Sequence, residues 1–442
     1  MSAGPVRAGS PLATPRRGSS GPRSDERADA VVVGAGLAGL TAAVRLAGAV
    51  GPGRKVLLLE AGSEAGGRAR TTDHGGYLLG LGPRALYRTT ERQLRALGVR
   101  VPGHEPDVAG ALALRDGALH PGYAAALPLL RTGLLSARER VSVGRLLALS
   151  RPRARMAGTD AAQWLGDRLP TERARQAAFA VLRMSAYVGR SDMIGADALA
   201  GHFAEVRKGV RYVDGGWRSV VDALLGRAAA LGVVVRTGAR AASVEGGSTP
   251  YVRLADGRGI RARAVVVAGL SPRAAGALLE RPGLAGSAGH PLHTACLDVA
   301  LSRLPDPRRA LVFGVDEPLY LSAFSTTARL APPGGAVLHL ARYDDGTGLG
   351  AEQVRARLHA MLDTCQPGWR EVLVHERFLP RITTMSALPE ARLGGLTGRP
   401  GPRAPGHPGV FLAGDWVGPH GLLADAVVLS AVRAAEEAAV RF

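Results

Sequence analysis

Lysine is almost missing from this chain: it occurs only at Lys55 and Lys208, and every other basic residue among the 56 counted is arginine. Cysteine is nearly as scarce. Cys296 and Cys365 lie far apart, with neither CxxC nor His/Cys ligand spacing, so the sequence offers no zinc site, no other metal site and no disulfide framework. That fits a reducing cytoplasm. Aromatic residues make up only 4%, and the arginines are scattered rather than gathered in a stripe interleaved with aromatics. The net charge of +19 therefore reads as a compositional bias toward arginine, and nucleic acid is not an expected partner. Apolar runs are cut by arginine or proline before the roughly 20 residues that a membrane span needs. No apolar export segment follows Arg16 and Arg17.

What is present suffices for buried cores: 442 residues with 46% apolar content allow two domains, or one with a large insertion. Residues 1–28, rich in Pro, Gly, Ser and Arg, read as a disordered tail. The run DAVVVG over 29–34 then reads as a strand buried on both faces, and small residues continue from Leu37 and Ala38 through Ala42, Ala43 and Leu46 at helical spacing. Gly34, Gly36 and Gly39 fall where that strand turns into the helix. Each has a task in a dinucleotide site: a tight turn, backbone approach to a pyrophosphate, and close helix packing. A second strand, KVLLLE, ends at Glu60, at the distance from the glycines where an acid meets ribose hydroxyls. The spacing alone serves nicotinamide and flavin dinucleotides equally. Glu60 disfavours a 2′-phosphate, which makes NADP the least suitable ligand.

The stretch after Glu60 is more specific. Ala61 follows it, then Gly66 and Gly67 with Arg68 directly behind, then the turn at Gly82 and Pro83. On these residues the chain resembles the flavin-dependent amine oxidase and phytoene desaturase superfamily, whose signature runs from an acid and a small residue to Gly-Gly-Arg. The resemblance implies FAD and two further segments returning to the same nucleotide. Tyr212–Glu245 supplies a glycine pair, a helix through Val220, Val221, Leu224 and Leu225, a strand at 233–235, and Ala241 at the position where the family lays its backbone against adenine. Gly409–Ala438 supplies a strand into Gly414 and Asp415, then a helix starting near Gly421, Leu422 and Leu423, whose amides would face the electron-rich end of a flavin. This segment departs from the family at Ala424-Asp425-Ala426 and at Ser430-Ala431.

The implied fold is α/β, a Rossmann-like FAD-binding domain built from discontinuous segments plus a mixed α+β substrate domain. The FAD-binding parts are expected over 29–104, 206–284 and 391–442. The substrate domain is expected to take a helical part from 105–205 and a sheet part from 285–390. In the helical part Ser136 and Glu139 form a capping box ahead of a helix carrying Val141, Leu146 and Leu149. The apolar stretch from Leu127 to Leu149, with Arg131, Arg138, Arg140 and Arg145, is read as turning its apolar face to the core rather than to a membrane surface.

The expected activity is removal of hydride from a largely apolar, lipophilic small molecule, as in phytoene desaturases, with oxygen or a quinone as acceptor. A flavin-dependent isomerase, an amine oxidase-like enzyme and a non-catalytic membrane-associated or partner-binding module are the alternatives. Neither lysine falls in a segment expected near the flavin, which counts against a conventional amine oxidase. Cys365 lies outside the usual position of a flavin-linking cysteine, so the FAD is expected to be noncovalent. His420 and Trp416, nearest the last flavin segment, are the candidates for catalytic roles.

Overall fold

The computed structural model describes residues 25–82, 84–149, 156, 158–286 and 288–442. At its centre, five short strands form a fully parallel sheet in the order 234–236, 56–59, 30–33, 264–268 and 410–413. Runs such as Ala30–Val33 (AVVV) and Val56–Leu59 (VLLL) are apolar at every position because both faces of this sheet are covered. The helices Leu37–Val50, Trp217–Ala230 and Leu423–Ala439 cover one face, packing on Ala30, Val32 and Leu58. The other face, with Val31, Val33 and Leu57, packs on Val244, Val252 and Ile260 of a second, four-stranded sheet.

That second sheet changes the reading of the N-terminus. The expected tail through residue 28 lies outside the described residues as far as residue 24, but Glu26–Arg27 is a strand paired in parallel with Gly259–Arg261. Ion pairs hold it there: Glu26 bonds both Arg236 and Lys55, and Asp25 bonds Arg261. Side-chain charge supplies what the polar composition of the segment did not suggest.

A seven-stranded mixed sheet stands beside this unit, in the order 373–385, 292–301, 336–343, 319–322, 311–314, 112–115 and 118–121. Its strands 292–301 and 336–343 are buried on both faces. Helix Ala351–Cys365 covers one face, and helices between residues 126 and 206 cover the other. The stretch 105–205, expected to be helical, thus opens with a hairpin that joins this sheet.

The Ser136–Glu139 capping box forms: Glu139 Oε2 accepts from the Ser136 amide and hydroxyl, and Ser136 Oγ accepts from the Glu139 amide. The helical stretch around it is two helices, however, Ala126–Arg131 and Ala137–Leu149, broken at Thr132–Ser136. Val141, read as a core position, is exposed, whereas Val143 and Leu146 are buried.

Candidate functional site

A cavity of about 780 Å³ begins at the strand-to-helix turn of the parallel sheet and ends against the seven-stranded sheet. Local geometry makes its first wall. Gly34 has φ +97°, and a Cβ there would lie 2.4 Å from the Ala268 carbonyl oxygen. At Gly39 an added Cβ would lie 1.7 Å from the Gly34 oxygen, so helix and turn touch only because both residues are glycine. Gly36, by contrast, faces open space. It caps a 14-residue helix with no side-chain hydrogen bond, which leaves the amides of the first turn, at Leu37 and Ala38, directed at the cavity end.

The remaining expected nucleotide residues sort by position. Glu60 and Ala61 line the cavity, and the Glu60 carboxylate accepts from the Ala35 amide at 2.9 Å and the Gly62 amide at 2.8 Å. Gly66 and Gly67 line it too, with the Gly66 amide bonded to the Ala35 oxygen. Arg68 reaches across to Asp415 Oδ2 at 3.2 Å and to the Thr383 oxygen. Gly82, Ala241 and Leu423 are also in the wall, Leu423 with a left-handed φ of 52°. Pro83 lies outside the described residues. Gly39, Gly414, Gly421 and Leu422 shape the turns behind the wall without lining it; the Gly414 amide and oxygen are both bonded by Ser430 Oγ.

The two catalytic candidates need correction. Trp416 is buried on the far side of the parallel sheet, its indole N–H bonded to the Leu270 oxygen, and His420 stands exposed on the loop. Neither lines the cavity. Closeness to the Gly414-Asp415 segment in sequence did not carry over, because the chain turns away directly after Asp415. Lys55 and Lys208 are likewise absent from the wall and pair with Glu26 and Glu205.

The far end of the cavity holds side chains that no motif announced. Asp298, His339 and Arg377 face one another on three adjacent strands, Asp298 being the register partner of both others. His339 Nδ1 lies 2.7 Å from Asp298 Oδ1, and Arg84 Nη2 lies 3.0 Å from the same oxygen. Arg377 holds Oδ2. Burial would raise the Asp298 carboxyl, but Arg84, the His339 bond and Arg377 outweigh it and hold it ionised well below the usual carboxylate range. Burial first, then the charge of Arg84, lowers His339 to about 4, so the imidazole is neutral.

Nδ1 meets both Asp298 Oδ1 at 2.7 Å and Arg84 Nη2 at 3.1 Å; a lone pair facing the carboxylate at the shorter distance would be repelled, so the ring proton is assigned to Nδ1, and Arg84 donates instead to Asp298 and the Gly80 oxygen. That leaves Nε2 as the acceptor, and no described residue bonds it. His339, Arg84, Tyr187 and Cys296 all line this end. Tyr187 takes a left-handed φ of 62° as the cap of helix Glu172–Ala186, and burial pushes the Cys296 thiol up to about 12. The sequence clue to this group is a polar residue interrupting each of two apolar strands, HTACLDVAL and AVLHLARY.

The wall suits a flavin dinucleotide. The Gly34–Gly36 turn clears room for a pyrophosphate, and Asp415 is buried with Oδ1 unpartnered among the described residues, an acceptor available to a polyol.

Known proteins agree in fold. A crystallised oxidoreductase from Methanosarcina mazei superposes with a TM-score of 0.75 at 18% identity, covering 92% of this chain and all of that one. Cyclohexylamine oxidase from Brevibacterium oxydans gives 0.67 at 16% identity over 93% of this chain and 99% of that one. An L-amino-acid oxidase from Naja atra is 45% identical over 76 residues, which is 16% of this chain and 14% of the relative's length. The model of the flavin containing amine oxidoreductases matches residues 37–299, more than half of the sequence, and the chain belongs to that family.

Proposed function

We propose that the protein is an FAD-dependent oxidoreductase that takes hydride from a largely apolar small molecule lodged between the flavin and the seven-stranded sheet. One observation carries this reading: a single cavity joins the glycine turn at Gly34 and Gly36 to the group around His339. The first-turn amides at Leu37 and Ala38 would hold the pyrophosphate and Glu60 the adenosine ribose, with Ala241 beside the adenine. Arg68, Asp415 and the helix start at Leu423 would hold the flavin end. Bound there, the flavin supplies the hydride acceptor.

The chain's own residues then do three things. Ile382 and Tyr187 give the substrate an apolar wall that excludes water. Asp298 fixes the ring orientation and tautomer of His339. His339 Nε2 receives a proton from a nitrogen or oxygen next to the carbon that gives up hydride. The substrate thereby loses two electrons and two hydrogens and gains a double bond between that carbon and the heteroatom. This pair favours, as a second reading, an apolar amine or alcohol over a pure hydrocarbon.

The flavin is held without a covalent bond in this reading. Cys365 is buried against the opposite face of the seven-stranded sheet, and Cys296 stays protonated up to about 12. Purified protein should be yellow and release its FAD to the supernatant on acid precipitation. It should then be bleached anaerobically by at least one member of a panel of polyenes, alicyclic amines and alcohols, with oxygen or a quinone restoring the colour. A colourless protein that takes up no FAD would sink the proposal. A double bond moved without bleaching would make it an isomerase.

A further inference from the structure

The helical hairpin 126–149 gathers three of the eight large apolar side chains exposed among the described residues. Its outward side carries Leu127, Leu130 and Val141, exposed at 56%, 62% and 59%. These three stand together: the Arg140 guanidinium on the second helix bonds the Leu130 oxygen on the first, and Gly144 lies against Leu129. Around them Arg131, Arg138 and Arg145 are exposed, and among the described residues none of the three has an ion-pair partner. Many other arginines are matched with acids, as Arg236 is with Glu26 and Arg403 with Glu437; here three unmatched ones stand on one hairpin beside exposed apolar side chains.

The mismatch is built into the sequence. Between Asp116 and Asp160 the single acid is Glu139, and the structure withdraws it: buried, its carboxylate is taken by Ser136 and Thr171. What remains outside is leucine and valine ringed by unpaired guanidinium groups. Water gains nothing from the first, and no protein acid neutralises the second.

We propose that this hairpin docks the protein on an anionic lipid surface, with Leu127, Leu130 and Val141 seated among the acyl chains and Arg131, Arg138 and Arg145 at the headgroup phosphates. Charge complementarity selects a bilayer carrying anionic lipid, and long arginine stems let the charge stay at the headgroups while the leucines go deeper. Docking here also has a direction. The second helix of the hairpin packs on helix Glu172–Ala186, whose cap, Tyr187, lines the substrate end of the cavity. A lipophilic substrate would enter from the side that meets the membrane.

The test is co-sedimentation of the FAD-treated full chain with vesicles of phosphatidylcholine, with and without a third of the lipid as phosphatidylglycerol, at physiological salt. The parent should sediment with the anionic vesicles only. Leu127→Ser with Leu130→Ser should lower the partition by roughly tenfold, and Arg131→Glu with Arg138→Glu by about tenfold or more. A matched reversal of two exposed arginines that also have no ion-pair partner among the described residues but lie off the hairpin, Arg100→Glu with Arg303→Glu, should change it by less than about threefold. Equal loss in that control, or undiminished binding by the leucine variant, would assign the binding to general charge and overturn the proposal. So would a dimer in vesicle-free sedimentation that the leucine variant dissolves, since a second copy would then be the occupant. The substituted leucines are solvent-facing, and an unchanged thermal midpoint and FAD uptake separate lost docking from lost fold or lost flavin.

Discussion

Replacing His339 with glutamine keeps a polar side chain on the strand but removes the nitrogen proposed to receive the substrate proton. FAD retention should be unchanged, while anaerobic flavin bleaching by a working substrate slows about 100-fold or more, the usual scale of lost base catalysis. Because burial holds His339 near 4, the acid limb of kcat/KM should appear only as the pH falls toward about 4 to 5, not near the ordinary histidine value. Asp425 poses a different problem. It sits inside the protein with Oδ1 bonded by the Thr90 amide and hydroxyl and Oδ2 without a partner among the described residues. Burial raises its carboxyl from 3.8 to about 6. The folded protein therefore holds the proton more tightly than the unfolded chain. Stability from this group is intact below about pH 4 and is lost as the pH rises through about 6. Asp425→Asn should raise the thermal midpoint at neutral pH, by the equivalent of about 1–3 kcal/mol, and have no such effect near pH 4. A midpoint difference independent of pH would remove the titration from the explanation.

At the scale of elements, the strand–turn–helix at residues 30–50 leaves no slack. Gly39→Ala should either release FAD or cost on the order of 3 kcal/mol in unfolding free energy, since the new methyl meets a backbone oxygen that cannot step aside. Gly48→Ala on the same helix meets nothing and should be neutral or slightly stabilising, which denaturant titration would show. This element was fully legible in the sequence because its logic is local: a buried strand, glycines at fixed offsets, a helix of small residues. The pairing of Asp298 with His339 and Arg377 was not legible. It depends on the register of three strands brought together from distant parts of the chain, and one step of slip would turn each residue to the opposite face. The hairpin 126–149 failed for another reason. Its period suggested one inward apolar face, but the break at 132–136 makes two helices, the second of which buries Val143 and Leu146 instead of Val141, and Leu127, Leu130 and Val141 end outside.

For the whole molecule, FAD would join the parallel sheet to the seven-stranded one, since the wall of its cavity is drawn from both. A ligand that binds only the folded chain stabilises by mass action, so the thermal midpoint should rise with added FAD and keep rising beyond saturation of the site. Asp415→Asn should weaken that dependence, losing the ion pair to Arg68 while keeping the amide bond from Ser386. A midpoint indifferent to FAD would contradict the cofactor assignment altogether.

The parallel sheet has one more consequence, in time rather than space. Its strand 264–268 lies between 30–33 and 410–413, and the helix Leu423–Ala439 packs back on Leu37–Val50. During synthesis the first glycine turn thus leaves the ribosome long before the partners that close it. The nascent chain carries an open strand edge and an uncovered helix until the last segment emerges. Ribosome-arrested chains stopped before residue 409 should bind no flavin, and release of the final helix should be the moment at which the chain first turns yellow.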